Sequence, residues 1–197
     1  VSVMNCGHCN PVITEKAIAQ IQKLQHTTTI YITEPIIKLA QELVDFIGAP
    51  FKKVFFVNSG SEANEGALLL AKLYTGKNGF VALEGGLHGR TSLTMNLTGI
   101  SMWRTDPEVK ENVFFAPRPH CRRCPLGLNF DSCDFDCANR LAELIDASGD
   151  IAAFIVEPIQ GNGGIIVPPP GYFERASEIL KTRKVLLIFD EVQTGFC

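Results

Sequence analysis

Four stretches of the chain place polar residues and glycines directly after short apolar runs. Val54-Phe55-Phe56-Val57 leads into Asn58-Ser59-Gly60-Ser61-Glu62. Ser59 with Glu62 has capping-box spacing for a helix start, and Gly60 lets a ligand come close to the backbone. Unpaired N–H groups at such a start, with the helix dipole behind them, attract an anion. Ser61 adds a hydroxyl donor. The segment reads as a phosphate cradle or as an ordinary capped helix. Phe80-Val81-Ala82-Leu83 leads into Glu84-Gly85-Gly86-Leu87-His88-Gly89-Arg90-Thr91. Glycines on both sides of His88 allow close backbone approach to a ligand, or simply a loop with a surface histidine. Ala153-Phe154-Ile155-Val156 ends on Glu157-Pro158-Ile159-Gln160-Gly161-Asn162, a carboxylate with amides beside it or a plain turn. Val185-Leu186-Leu187-Ile188-Phe189 ends on Asp190. A carboxylate there is costly to bury unless it meets a cation. A protonated pyridine nitrogen would be one; an exposed turn aspartate is the alternative.

A second constellation is Cys121-x2-Cys124-x8-Cys133-x3-Cys137. Four thiolates at this spacing can hold structural zinc in a tetrahedral site. Reduced thiols or a local disulfide are the competing readings. The remaining cysteines and the lack of an export signal fit a reducing compartment.

The elements that must position these residues follow from periodicity. Apolar spacing predicts helices over 13–24, from Pro35 to about Gly48, over 61–74, over 138–147 and over 172–181. The unbroken apolar runs at 54–57, 80–83, 113–115, 153–156 and 185–189 predict strands buried on both faces. Alternating strands and helices give an α/β fold with a mostly parallel sheet flanked by helices. In such sheets ligands bind beyond the carboxyl ends of the strands. The 197 residues suffice for one buried core, and 46% apolar with 20% charged residues is ordinary for a globular chain. A net charge of −3 gives no reason to expect nucleic acid or an anionic membrane as partner. No apolar run approaches the roughly 20 residues of a membrane span.

In their order, Gly7-His8-Cys9-Asn10-Pro11, the segment Val54 to Glu65, His88-Gly89-Arg90-Thr91, Glu157-Pro158-Ile159-Gln160-Gly161, Pro168-Pro169-Pro170-Gly171-Tyr172 and Phe189-Asp190-Glu191-Val192-Gln193-Thr194-Gly195 closely resemble the class III aminotransferases. These belong to the fold-type I enzymes that depend on pyridoxal phosphate. The resemblance covers essentially the whole chain. It implies that residues 1–25 end an N-terminal small-domain segment and that 26–197 are part of the cofactor-binding large domain, with 119–137 a cysteine-rich insertion. It implies that Gly60 and Ser61 hold the cofactor phosphate, and that Asp190 binds the ring nitrogen. Gln193 would lie near the phenolic oxygen, and Leu87 and His88 would cover one ring face. Glu157 would be an acceptor one layer behind the ring.

Three positions depart from the family pattern. Leu87 stands where an aromatic residue commonly stacks on the ring. Asn162 stands where the ornithine and 4-aminobutyrate branches carry a glutamate that gates a substrate-binding arginine. Asn10 replaces a more usual histidine. The family's Schiff-base lysine would lie beyond Cys197, so no catalytic residue is assigned within the chain. Lacking an initial methionine and stopping after a strand-like run, the chain reads as an internal piece, inactive by itself, of a cytoplasmic homodimer.

The expected reaction moves an amino group from an ω-amino acid, alanine or a diamine to a 2-oxo acid. Competing readings are an amino-acid racemase or epimerase on the same fold, and a non-catalytic metal-binding module.

Overall fold

The structure, a computed structural model, describes residues 4–105 and 112–196. Val1, Ser2, Val3 and the seventh cysteine, Cys197, lie outside the described residues. The chain divides into two compact units, Val1–Phe56 and Val57–Cys197.

The first unit carries helices α1 (Pro11–Lys23) and α2 (Glu34–Ile47). Asn10 caps α1, its side chain accepting from the Val12 amide, with Pro11 pre-setting the first helical turn. Asn10, expected to matter only for packing, thus has a local role in starting the helix. Gly48, at φ 76°, closes α2. Neither helix buries a residue.

In the second unit, α3 (Gly60–Thr75) precedes β1 (Gly79–Leu83), α4 (Ser92–Asn96) and β2 (Val113–Ala116). Then come α5 (Asp136–Ser148), β3 (Ile151–Val156), α6 (Tyr172–Arg183) and β4 (Leu186–Phe189). The four strands form one sheet in the order β2-β1-β3-β4, every pairing parallel. All of β1 and β3 is buried, as expected for the central strands of a covered parallel sheet. Val81, Leu83, Phe154 and Val156 pack with Leu141 of α5 and Ala176 of α6. Phe80, Ala82 and Ile155 pack on the other face with Leu68 and Ala71 of α3. Burying each large apolar side chain here contributes about 1.5–3 kcal/mol.

One expected strand does not form. The run Val54-Phe55-Phe56-Val57 joins none of the four strands, and Phe55 is 85% exposed. Apolar content alone does not make a strand; a neighbouring strand must take up the backbone hydrogen bonds. The short α4 was not foreseen, since five residues carry too little periodicity to register.

Connections from β1 go to β2 on one side, while β3 leads to β4 on the other. The β1/β3 boundary is therefore the point where strand order reverses, the favoured place for a ligand crevice.

Candidate functional site

Buried polar side chains gather at the carboxyl ends of the strands. Asn64, His88, Thr94, Asn96, Thr98, Glu157, Gln160 and Asp190 are all at most 5% exposed. Such groups seek hydrogen-bond partners, and for Asn64, His88, Glu157, Gln160 and Asp190 these include atoms from distant parts of the chain.

Asp190 follows β4. Its Oδ2 accepts from Asn64 Nδ2 at 2.9 Å and lies 2.9 Å from His88 Nδ1. Its Oδ1 accepts from the Val192 amide at 3.2 Å. An ionised carboxylate can only accept, so Nδ1 carries the histidine hydrogen in this arrangement. The histidine loop is held as well. The His88 amide donates to Thr98 Oγ1 at 3.2 Å, and the His88 carbonyl accepts from Asn64 Nδ2 at 2.7 Å.

Glu157 follows β3 and spans the crevice. Oε1 accepts from the Leu87 amide at 2.8 Å, and Oε2 from the Gly161 amide at 2.9 Å. Burial raises its pKa above the usual carboxylate value, opposed by these two amides. Asn162 accepts from Gln193 Nε2 at 2.8 Å, so an amide pair joins the loops after β3 and β4.

At the start of α3, Ser59 accepts from the Glu62 amide at 3.2 Å. Glu62 Oε2 accepts from the Asn58 amide at 2.7 Å, one residue earlier than the expected capping box would place it. The first amide to bond back along the helix is that of Ala63, to Ser59 O. The amides of Gly60 and Ser61 thus belong to the open end of the helix. A Cβ on Gly60 would lie 2.7 Å from Val192 Cγ2, so only glycine lets the helix start come this close to the segment after Asp190. Ser61 Oγ accepts from the Arg90 amide at 3.1 Å, leaving its own hydrogen free to donate. Gly89, at φ +136°, makes that approach possible; a Cβ there would sit 2.6 Å from both Ser61 Oγ and Thr94 Oγ1.

Gly60, Ser61, Asn64, Leu87, His88, Glu157, Asp190 and Gln193 all line one cavity of about 220 Å³. Every sequence-selected residue outside the cysteine cluster is therefore brought together. The cavity has an anion-seeking helix start and a carboxylate on its wall. Half-buried Leu87 adds an apolar side chain to the lining, though without aromatic stacking. Arg90 also lines it, its guanidinium 4.6 Å above the Trp103 ring. Among the described residues no lysine lines it; Lys72 lies over the Phe80 ring at 5.5 Å. Sequence reasoning missed Asn64, Thr98 and Arg90. Asn64 carried a weak signal, since asparagine in a helix interior is unfavourable unless its side chain is engaged.

The cysteine cluster is corrected. Cys121, Cys124, Cys133 and Cys137 line one small pocket together with Leu126, Leu128, Phe130 and Phe135. All four are free thiols. Among the described residues, no three His, Cys, Asp or Glu side chains are arranged to hold a metal ion, so of the readings open for these cysteines the arrangement matches reduced thiols and not a zinc site. Phe130 and Phe135 meet edge to face at 6.4 Å, and the pocket is walled by apolar groups. Burial pushes the Cys137 thiol up to about 11 and also raises Cys121.

No helix among the described residues is long and apolar enough to cross a membrane. The family described as Aminotransferase class-III matches residues 1–197. The chain is 42% identical over 198 residues to alanine–glyoxylate aminotransferase 2 homolog 2, mitochondrial, of Arabidopsis thaliana, covering all of this chain and 40% of that protein. It is 39% identical to an acetylornithine aminotransferase of Methanothermobacter thermautotrophicus, of which it covers 45%. The solved amine transaminase of an uncultivated Pseudomonas species, in its PLP-bound form, superposes with a TM-score of 0.92 at 30% identity. That match covers 100% of this chain and 47% of the other, so the chain spans less than half the length of these relatives.

Proposed function

The chain belongs to the class III aminotransferase family, and from that premise we propose that the protein carrying it moves an amino group from an amino donor to a 2-oxo acid, using pyridoxal phosphate held in the cavity between α3 and Asp190. One observation carries this reading: the open start of α3 and the Asp190 carboxylate line the same cavity. A phosphorylated pyridine has an anion at one end and, when protonated, a cation at the other. The donor set fits both.

The amides of Gly60 and Ser61, with the Ser61 hydroxyl, hold the phosphate at the helix start. Asp190 accepts the ring N–H and keeps it protonated. Leu87 packs on the ring by dispersion, and His88 behind it orients Asp190. Gln193, tied to Asn162, sits near the phenolic oxygen. Glu157 fixes the Leu87 and Gly161 backbones, so it acts on the site by holding its loops. The bound cofactor supplies an electron sink for the electron pair left when the substrate loses its proton. The amine that moves that proton is assigned to a lysine outside this stretch. Alanine, ω-amino acids and diamines are the donor classes proposed. Asn162 has no charge with which to pair a substrate-binding arginine, which speaks against the ornithine and 4-aminobutyrate pattern.

We place the protein in the cytoplasm as a homodimer. The six free cysteines of the described residues fit a reducing compartment. On α3, Leu69, Leu70, Leu73 and Tyr74 are 57%, 65%, 73% and 82% exposed, an apolar stripe of the kind that other protein surface covers.

The test loads the full-length protein with cofactor and adds an amino donor without oxo acid. A spectrum moving to the pyridoxamine form supports amino transfer. Loss of substrate chirality with no oxo acid present would instead identify a racemase.

A further inference from the structure

Asn64 hydrogen-bonds both to the strand-end carboxylate and to the backbone of the histidine loop. It lies in the second turn of α3, is 5% exposed, and spends its Nδ2 hydrogens on two partners. One goes to His88 O at 2.7 Å, the other to Asp190 Oδ2 at 2.9 Å. Three separate elements thereby meet at one amide group: α3, the loop after β1, and the end of β4.

The acceptor count shows what this does. A carboxylate offers about four lone-pair positions. In Asp190, Oδ2 takes Asn64 Nδ2 and His88 Nδ1, and Oδ1 takes the Val192 amide. One position remains, on a carboxylate that lines the cavity. We infer that Asn64 is a positioning residue that holds Asp190 with a single acceptor open to the cavity, and so sets the site's preference for a ring bearing an N–H over the same ring without it. This rests on the reading of the cavity as a pyridoxal phosphate site. It adds a residue, and a selectivity, that the reading does not itself require.

Without Asn64, the carboxylate loses one donor and its tie to the histidine loop, and rotation about the Asp190 side chain becomes less restricted. The loss should fall on ligands that use the carboxylate and spare those that do not.

The experiment titrates the protein with pyridoxamine phosphate, which binds without a lysine linkage, and with its carbocyclic analogue, in which C–H replaces the ring nitrogen. The wild-type protein should prefer pyridoxamine phosphate. Asn64→Leu, close in volume but without donors, should weaken pyridoxamine phosphate about tenfold, as expected for one charge-assisted hydrogen bond, while changing the analogue less than about twofold. Equal weakening of both ligands, or of neither, overturns the proposal. Should Asn64→Leu lose its near-ultraviolet circular dichroism, Asn64→Ser carries the same comparison; a hydroxyl too short to reach both partners should show the same selective loss, and an undiminished preference overturns the proposal. If the wild-type protein binds both ligands equally, the assignment of Asp190 to the ring nitrogen fails, and this proposal with it. That outcome is distinct from a wild-type preference that Asn64 does not affect.

Discussion

The cavity at the ends of β1, β3 and β4 and the pocket shared by four cysteines are both lined by groups that stand out in the sequence by type and spacing. In the first, hydrogen bonds join residues 24, 70, 102 and 126 positions apart. In the second, the cysteines fall within residues 121–137, and apolar side chains stand among them. A parallel sheet brings the residues after its strands to one edge whatever their separation in the chain. Local spacing has no such framework behind it. It permits a metal site, but the thiols must still be drawn into ligand geometry, and no such arrangement forms among the described residues.

The sharpest way to break this contrast is to remove a group from each side. Asp190→Ala takes away a buried carboxylate and strands Asn64 and His88, which share its Oδ2. Truncating one partner of a buried hydrogen-bonded charge pair costs about 2–5 kcal/mol in binding, so pyridoxamine phosphate affinity should fall by about thirtyfold or more. Replacing Cys121, Cys124, Cys133 and Cys137 together by serine should change it less than about twofold, and the purified wild-type protein should retain no stoichiometric zinc by elemental analysis. A reversal of these sensitivities would undo the comparison.

Thiol chemistry gives the next test. With its thiol pushed up to about 11 by burial, Cys137 should carry about three-hundredfold less thiolate at neutral pH than an ordinary cysteine near 8.5. Alkylation followed by peptide mapping should label exposed Cys6 and Cys9 well before Cys137. Early labelling of Cys137 would show an electropositive surrounding and reopen the question of a metal.

A smaller effect, in stability, comes from Gly89→Ala. Its φ of +136° is strained for alanine, and the added Cβ would press on Ser61 and Thr94. The expected loss is about 2–3 kcal/mol, read by urea denaturation, with phosphate affinity reduced alongside because the Ser61 hydroxyl is displaced.

Most of this architecture is legible in the sequence. The runs at 80–83, 113–115, 153–156 and 185–189 became strands because each has a neighbour to pair with. The run at 54–57 has the same composition and no neighbour, which composition cannot reveal. Gly60, Ser61, His88, Glu157 and Asp190 stand out because each follows an apolar run or opens a helix, whereas Leu87, Gln193 and every cofactor role come from the resemblance to the class III aminotransferases. Asn64 and Thr98 do not stand out, since their roles depend on which distant backbone and side-chain atoms face them after folding. The cysteines misled because ligand spacing is a local signal, whereas the apolar groups around them come from packing. The helices α1 and α2 were also legible from periodicity, yet neither buries a residue, so an amphipathic pattern tells that a face exists and not what covers it.

The smallest effect tests whether Glu157 serves the loops or the ligand. Burial raises its pKa in the folded protein above the ordinary value of 4.5, with the Gly161 and Leu87 amides pulling the other way. A carboxyl raised on folding binds its proton more tightly in the native state than in the unfolded chain. Its protonated form therefore favours folding, fully below the ordinary value, and that contribution is lost as pH rises through the raised folded pKa. Glu157→Gln removes the titration. Subtracting the two proteins' unfolding free energies at each pH cancels the other carboxylates, so the wild type should lose ground relative to the variant as pH rises from the ordinary value of 4.5 through the raised folded pKa. If Glu157 acts by pinning the Leu87 and Gly161 backbones, the slope should persist when pyridoxamine phosphate is bound. A slope abolished by the ligand would mean that Glu157 exchanges its proton with the ligand itself, and would move it from the loops into the reacting site.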